Sequence, residues 1–299
     1  MRLNAALVAI VSSIVTAPIT VAAESPPEVL RVASVQMEVT ADLERNRDRI
    51  FKGIESAALD GARMVVFPET VLSGFDSDTV SKIDWDKLEA GMAEIAKHAA
   101  ANKVYVLYGT ATRSGLEKPF NSAVLIGPNG EEITRYHKMA PEGHFQPGDH
   151  LALFEIDGIP ATVIICHDER FPELVRLPVL AGAQICFYIS YEINSLPDAL
   201  RKMDGYRAQL IARAVENGIW VVQSNGVGPL EGSSSVSLGQ SRIIDPGGTV
   251  VSELPALKDD MMAHDIRPAA AHRRNGLESL ELHPLKEWWE DGLKKVQRP

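Results

Sequence analysis

From position 29 onward the chain alternates short, predominantly apolar runs with longer stretches in which apolar residues recur every three or four positions. The runs at 30–37, 63–67, 104–110, 161–166, 183–190 and 219–224 read as buried strands, being short and rich in Val and Ile. Between them, 42–59 carries Leu43, Ile50, Ile54 and Ala57 on one helical face, and 88–101, 171–180 and 200–217 read as further helices. Gly127-Pro128-Asn129-Gly130 has turn chemistry and should close a hairpin between strands at 122–126 and 131–136. Residues 141–150 and 226–237 read as loops, and 240–244, 249–254 and 262–266 as closing strands. Helix-linked strands mixed with hairpins predict a layered α/β fold, and no internal repeat interrupts the pattern.

The two ends depart from this pattern. Arg2 precedes the apolar stretch 5–21, and Val21-Ala22-Ala23 gives a small-residue cleavage pattern before Glu24. Residues 1–23 therefore read as a signal peptide, and the protein is expected to be exported, periplasmic or secreted. The alternative is an uncleaved membrane anchor, which Thr16, Pro18 and Thr20 weaken. Residues 24–28 form a Pro-rich linker, and 29–267 the single domain. The tail 268–299 turns polar and then carries Trp288 and Trp289, which suit docking on its own domain or on a neighbouring subunit.

Composition adds two restrictions. With 45% hydrophobic residues the chain has ample material for a core. Its net charge of −10, without a basic block, argues against nucleic acid or an anionic membrane surface as partner. Only two cysteines are present, Cys166 and Cys186, so an exported protein of this sequence depends on its core rather than on disulfides.

Candidate chemistry gathers where strands end, which is where sites collect in α/β sheets. Cys166 closes the run Ala161-Thr-Val-Ile-Ile-Cys and is followed by His167-Asp168-Glu169-Arg170-Phe171-Pro172-Glu173. Alone it reads as a small buried hydrophobe, as Cys186 does inside Ile185-Cys-Phe-Tyr-Ile. A thiol nucleophile needs a base, and His137, His144, His167 and Glu69 are the candidates. Glu69 ends Met64-Val-Val-Phe-Pro-Glu, an odd place for a surface charge and a suitable one for a proton shuttle. Lys138 ends Ile133-Thr-Arg-Tyr-His-Lys, where an ammonium can stabilise a thiolate and an oxyanion. No metal-binding spacing is present, and Gly226-Val-Gly-Pro-Leu-Glu-Gly lacks the spacing of a dinucleotide loop. Neither a metal nor another cofactor is expected.

Phe67-Pro68-Glu69-Thr70, Tyr136-His137-Lys138 and Ile165-Cys166-His167-Asp168 follow one another in that order. With Gln36, Pro147-Gly148-Asp149, 213–217 and Asp245-Pro246-Gly247-Gly248, this pattern closely resembles the nitrilase (carbon–nitrogen hydrolase) superfamily from residue 30 to about 266. The resemblance implies a four-layer α-β-β-α sandwich, paired into homodimers or higher homo-oligomers. It also implies a Glu69-Lys138-Cys166 triad, with the His167 backbone N–H as a second oxyanion donor. Glu142 is the candidate for a further active-site glutamate. Cys-x-Asp-x-Arg-Phe-Pro-Glu is similar to the amide-cleaving branches, so the expected substrate is a small amide or N-carbamoyl compound. A nitrile is the alternative substrate, and a catalytically silent binding or scaffold relative is the alternative of another class.

Overall fold

The structure, a computed structural model, describes residues 25–283 and 285–299, so the expected leader lies outside the described residues. In chain order the strands that build the two main sheets are β1 (Leu30–Gln36), β2 (Met64–Val66), β3 (Tyr105–Thr112), β4 (Phe120–Ile126), β5 (Glu132–His137) and β6 (Phe154–Ile156). They continue with β7 (Ile159–Ile165), β8 (Ile185–Ser190), β9 (Trp220–Asn225), β10 (Arg242–Ile244), β11 (Val250–Glu253) and β12 (Asp260–Ile266). The longer helices are α1 (Leu43–Leu59), α2 (Trp85–Asn102), α3 (Glu173–Leu180), α4 (Leu196–Asn217) and α5 (Lys286–Leu293).

One sheet runs in the order β12-β1-β2-β3-β4-β5 and the other in the order β11-β10-β9-β8-β7-β6. Each has a parallel centre, β1-β2-β3 or β7-β8-β9, flanked by antiparallel strands. Alternation along the strands sorts their side chains into three apolar layers. Val32, Val66, Leu107 and Leu125 meet Val163, Ile165, Phe187 and Val222 between the sheets. Val35, Val65, Val106 and Val124 face Ile50, Ile54, Leu88 and Ile95 of α1 and α2. Ile164, Tyr188 and Val221 face Val175, Val179, Leu210 and Ala214 of α3 and α4. The result is the four-layer α-β-β-α sandwich.

Two serines lie between the sheets at little cost, because each is bonded across the gap. Ser34 Oγ donates to the Gln223 carbonyl and Ser224 Oγ to that of Val35, both at 2.6 Å. Helix starts are set by side chains that accept an otherwise unpaired amide: Asp42 from Arg45, Asp84 from Lys87 and Ser195 from Asp198. These caps place the starts of α2 and α4 at Trp85 and Leu196, ahead of positions 88 and 200 suggested by apolar periodicity.

The stretch 151–156, unassigned by sequence pattern, divides in two. Leu151–Ala152 pairs in parallel with Val296–Gln297 of the tail, and β6 edges the second sheet. The loop 226–237 contains most of a small hairpin of Val227–Pro229 with Ser235–Leu238. The tail lies on its own domain: Gly292 of α5 packs on Leu177, and Trp289 reaches the core between the sheets while Trp288 stays exposed. Among the described residues no helix is long and apolar enough to cross a membrane.

Candidate active site

The C-terminal ends of β2, β5, β7 and β8 open on one region. The sequence pattern places Glu69, Lys138 and Cys166 as the last residues of strands; the structure places each just past one. Glu69 follows β2 by way of Phe67-Pro68, Lys138 follows β5 directly, and Cys166 opens the one-turn 3-10 helix Cys166–Arg170 after β7. Leaving the ladder frees each side chain from the alternation of its strand.

The departures are built from close backbone approaches. At Gly109 a Cβ would meet Thr70 N at 2.3 Å and Glu69 Cα at 2.6 Å, so only glycine lets β3 lie against the Glu69 turn. Gly109 N–H donates to the Pro68 carbonyl at 3.0 Å, and Leu72 N–H to that of Gly109 at 3.2 Å. Lys138 is held at both backbone groups: its N–H donates to the Asn121 carbonyl at 2.8 Å, and Gly148 N–H donates to its carbonyl at 2.9 Å. Cys166 adopts φ +42°, a left-handed conformation costing about 1–3 kcal/mol for a side chain of this kind. Such strain persists only where the surroundings impose it.

Glu69 and Lys138 are wholly buried. The Lys138 ammonium donates to Glu69 Oε1 at 2.7 Å and to Glu142 Oε1 and Oε2 at 2.9 and 3.1 Å. Glu69 Oε1 also accepts from Asn121 Nδ2 at 2.7 Å, and Oε2 from the Tyr191 N–H at 2.9 Å. Glu142 is the only one of the three whose side chain keeps solvent contact, at 31%. The structure thus joins Glu69, Lys138 and Glu142 directly.

Two carboxylates around one ammonium shape the electrostatics. Burial raises the Glu69 pKa; Lys138 opposes the rise and Glu142 adds to it. Burial works to lower the Lys138 pKa, but Glu69, Cys166 and Glu142 outweigh it and hold the ammonium charged. Burial and then Glu69 push the Cys166 thiol well above its ordinary range, against Lys138. Both shifts favour the protonated forms, a thiol near a carboxylate whose proton affinity is raised. That pairing can pass a proton from sulfur to carboxylate when sulfur attacks. His167 is the second residue of the 3-10 turn, so its N–H has no carbonyl partner within that turn.

Two of the candidate histidines, His137 and His144, are engaged elsewhere. His137 Nδ1 pairs with Ser122 Oγ at 2.8 Å and the ring stacks on Phe120. Burial, with His150 beside it, pushes its pKa down to about 4. His144 Nε2 pairs with the Phe75 carbonyl at 2.9 Å. Burial and Arg170 lower the His167 pKa, which favours the neutral ring. Both cysteines are free, and burial pushes Cys186, on the α3/α4 face, up to about 12.

Several polar residues escaped the pattern. Asn121 and the Tyr191 amide hold Glu69, yet each lies in or beside an apolar run with no local sign of its role. Tyr188 donates to Glu169 Oε2 at 2.6 Å and lies 3.4 Å from Glu192 Oε1, linking the buried Glu169 to the half-buried Glu192 near the thiol. Gln223 and Asn225 also donate to Glu192, at 3.1 and 3.2 Å. Asp168 is wholly buried and accepts three hydrogen bonds.

Residues 31–274 match the carbon–nitrogen hydrolase family. Among curated proteins, a hydrolase in the agr operon of Staphylococcus aureus is 30% identical over 72% of this chain and 83% of that protein. A 2-oxoglutaramate amidase from Bacillus subtilis is 28% identical over 64% of this chain and 73% of its own length. A nitrilase from Pyrococcus abyssi is 29% identical over 79% and 89%. Among solved structures, an amidase of the nitrilase superfamily from Nesterenkonia AN1 superposes with a TM-score of 0.76 at 24% identity, covering 88% of this chain and 98% of that one. The chain belongs to the carbon–nitrogen hydrolase family.

Proposed function

We propose that the protein is an exported amidase that cleaves the C–N bond of a small amide or N-carbamoyl compound through a thioester on Cys166. The observation that carries this reading is the buried Lys138 ammonium bridging Glu69 and Glu142, close enough to act electrostatically on the Cys166 thiol on its strained turn. In the first half-reaction Glu69 takes the thiol proton as Cys166 Sγ attacks the carbonyl carbon. The oxyanion is met by Lys138 and the His167 N–H. The C–N bond then breaks, the amine or ammonia leaving with the proton from Glu69. In the second, Glu69 takes a proton from water, hydroxide attacks the thioester carbon, and the acid leaves as sulfur regains its proton. Glu142 keeps the ammonium in place and helps to raise the basicity of Glu69.

Relatives named as amidases favour an amide over a nitrile, while the P. abyssi relative keeps the nitrile reading as the second one. Export rests on the leader pattern at 1–23, and homodimerisation on the family resemblance. The test is ammonia release from a panel of linear amides, nitriles and N-carbamoyl amino acids. Release from amides with none from nitriles supports the reading, and activity on nitriles alone overturns it. A protein inactive on every compound, with Cys166 unlabelled by thiol-directed electrophiles, would point to the scaffold reading.

A further inference from the structure

Asp168 has no part in the chemistry just described, yet it touches three segments that carry it. Its Oδ2 accepts the Tyr136 hydroxyl at 2.8 Å and the Ile165 N–H at 3.1 Å; its Oδ1 accepts the Ala140 N–H at 2.9 Å. Ile165 directly precedes the nucleophile candidate, Tyr136 stands two residues before Lys138, and Ala140 lies midway between Lys138 and Glu142. All three contacts are donors, and Asp168 has no solvent contact. Burial raises its pKa above the ordinary aspartate range, with Tyr136 and then the Ala140 amide opposing the rise.

We infer that Asp168 is a positioning residue, which ties the Cys166 turn to the 139–142 loop and so sets Glu142 against Lys138. This rests on the roles of Cys166, Lys138 and Glu142 given above. The physical reason is connectivity: the Cys166 turn belongs to the second sheet and Lys138 to the first, and beyond the packing of the sheets a group bonded to both segments ties them together locally. Asp168 does so from within the strained turn itself, where φ +42° at Cys166 needs a partner to maintain it. A charge-assisted bond to each amide also gives the loop a defined height above the sheet edge.

The chemistry of asparagine makes the inference testable. In Asp168→Asn one atom becomes a donor. If the remaining oxygen keeps Tyr136 and Ile165, the new NH2 faces the Ala140 N–H, and the 139–142 loop is released. The expected result is a fall in kcat on the order of 100-fold, as for an ångström-scale misplacement, with KM within a few-fold of wild type. Glu142 raises the pKa of Glu69, which Lys138 and Asn121 lower, so release of Glu142 should move the acidic limb of kcat/KM to lower pH. Glu142→Gln should move it the same way, and Asp168→Asn should add no further shift in that background.

Tyr136→Phe removes one donor and leaves both amides bonded. It should lower kcat a few-fold at unchanged KM, and it carries the test if Asp168→Asn does not fold. Wild-type activity with an unshifted profile in folded Asp168→Asn, or unchanged kcat in Tyr136→Phe where only that variant folds, would overturn the inference. So would additive pH shifts in the double variant. A wild-type protein that releases no ammonia fails the amidase reading instead, so the two failures are distinct.

Discussion

Replacing Lys138 with methionine removes the ammonium that bonds both Glu69 and Glu142 and keeps most of its volume. Glu69 then retains Asn121 Nδ2 and the Tyr191 N–H as neutral donors, but no cation contacts it. Breaking one side of a buried ion pair costs about 3–5 kcal/mol, because the remaining charge is desolvated without compensation. At roughly 2 °C per kcal/mol for a chain of this size, Tm should fall by about 6–10 °C at neutral pH. The sign of the pH dependence follows from Glu69. Its folded pKa is raised already and rises further without Lys138, so stability is intact below the ordinary carboxylate range and is lost as pH climbs through the folded value. The deficit of Lys138→Met against wild type should therefore be small near the ordinary carboxylate pKa and larger in mildly alkaline buffer. Thermal scans at both pH values, at one heating rate, read this directly. Glu69→Gln with Lys138→Met leaves no wholly buried charge of the pair and should regain most of the lost Tm without regaining activity. A deficit equal at both pH values, or a double variant less stable than Lys138→Met alone, would refute the reasoning.

Gly109→Ala should cost about 1–3 kcal/mol and most of the activity, because its Cβ would press rigid backbone at Glu69 and Thr70; a thermal scan paired with an ammonia assay checks it. Asn121→Ala removes a charge-assisted bond to Glu69 of about 1.5–3 kcal/mol, so kcat/KM should drop roughly 10- to 100-fold in initial-rate measurements. Burial and then Glu192 push Glu169 up to about 8, and burial pushes Glu192 up to about 7 against Arg242. Raised folded values mean that stability falls as pH rises through 7 to 8. Glu192→Gln should flatten that fall in Tm.

How much was legible in the chain depends on what each feature needed. The strands and helices of the core announce themselves through periodicity, since Val32 or Ile54 must face an apolar layer whatever else the chain does. Glu69, Lys138 and Cys166 stand out as candidates because each closes a strand-like run and the three motifs follow one another in the order that resembles the carbon–nitrogen hydrolases. Periodicity stops at the ladder, however, and so it set each of them on the strand rather than on the turn after it. The φ of Cys166 and the steric need for Gly109 are properties of two segments meeting, which no local pattern encodes. The same holds for the contacts of Asn121 with Glu69, 52 residues away, and of Asp168 with Tyr136 and Ala140, 32 and 28 residues away: the motif names Asp168, but only the folded chain reveals what it bonds. Short edge elements such as Leu151–Ala152 were missed because two residues carry no period, and their partner is the tail.

The most direct test of the central claim is acid-quenched mass spectrometry of the protein during turnover of an amide it hydrolyses, with Cys166→Ala run alongside. An acyl group is expected on the peptide that contains Cys166 in the wild type, and neither acyl group nor ammonia release from the folded Cys166→Ala protein. Sustained ammonia release by Cys166→Ala, or an acyl group on another residue, would contradict the claim.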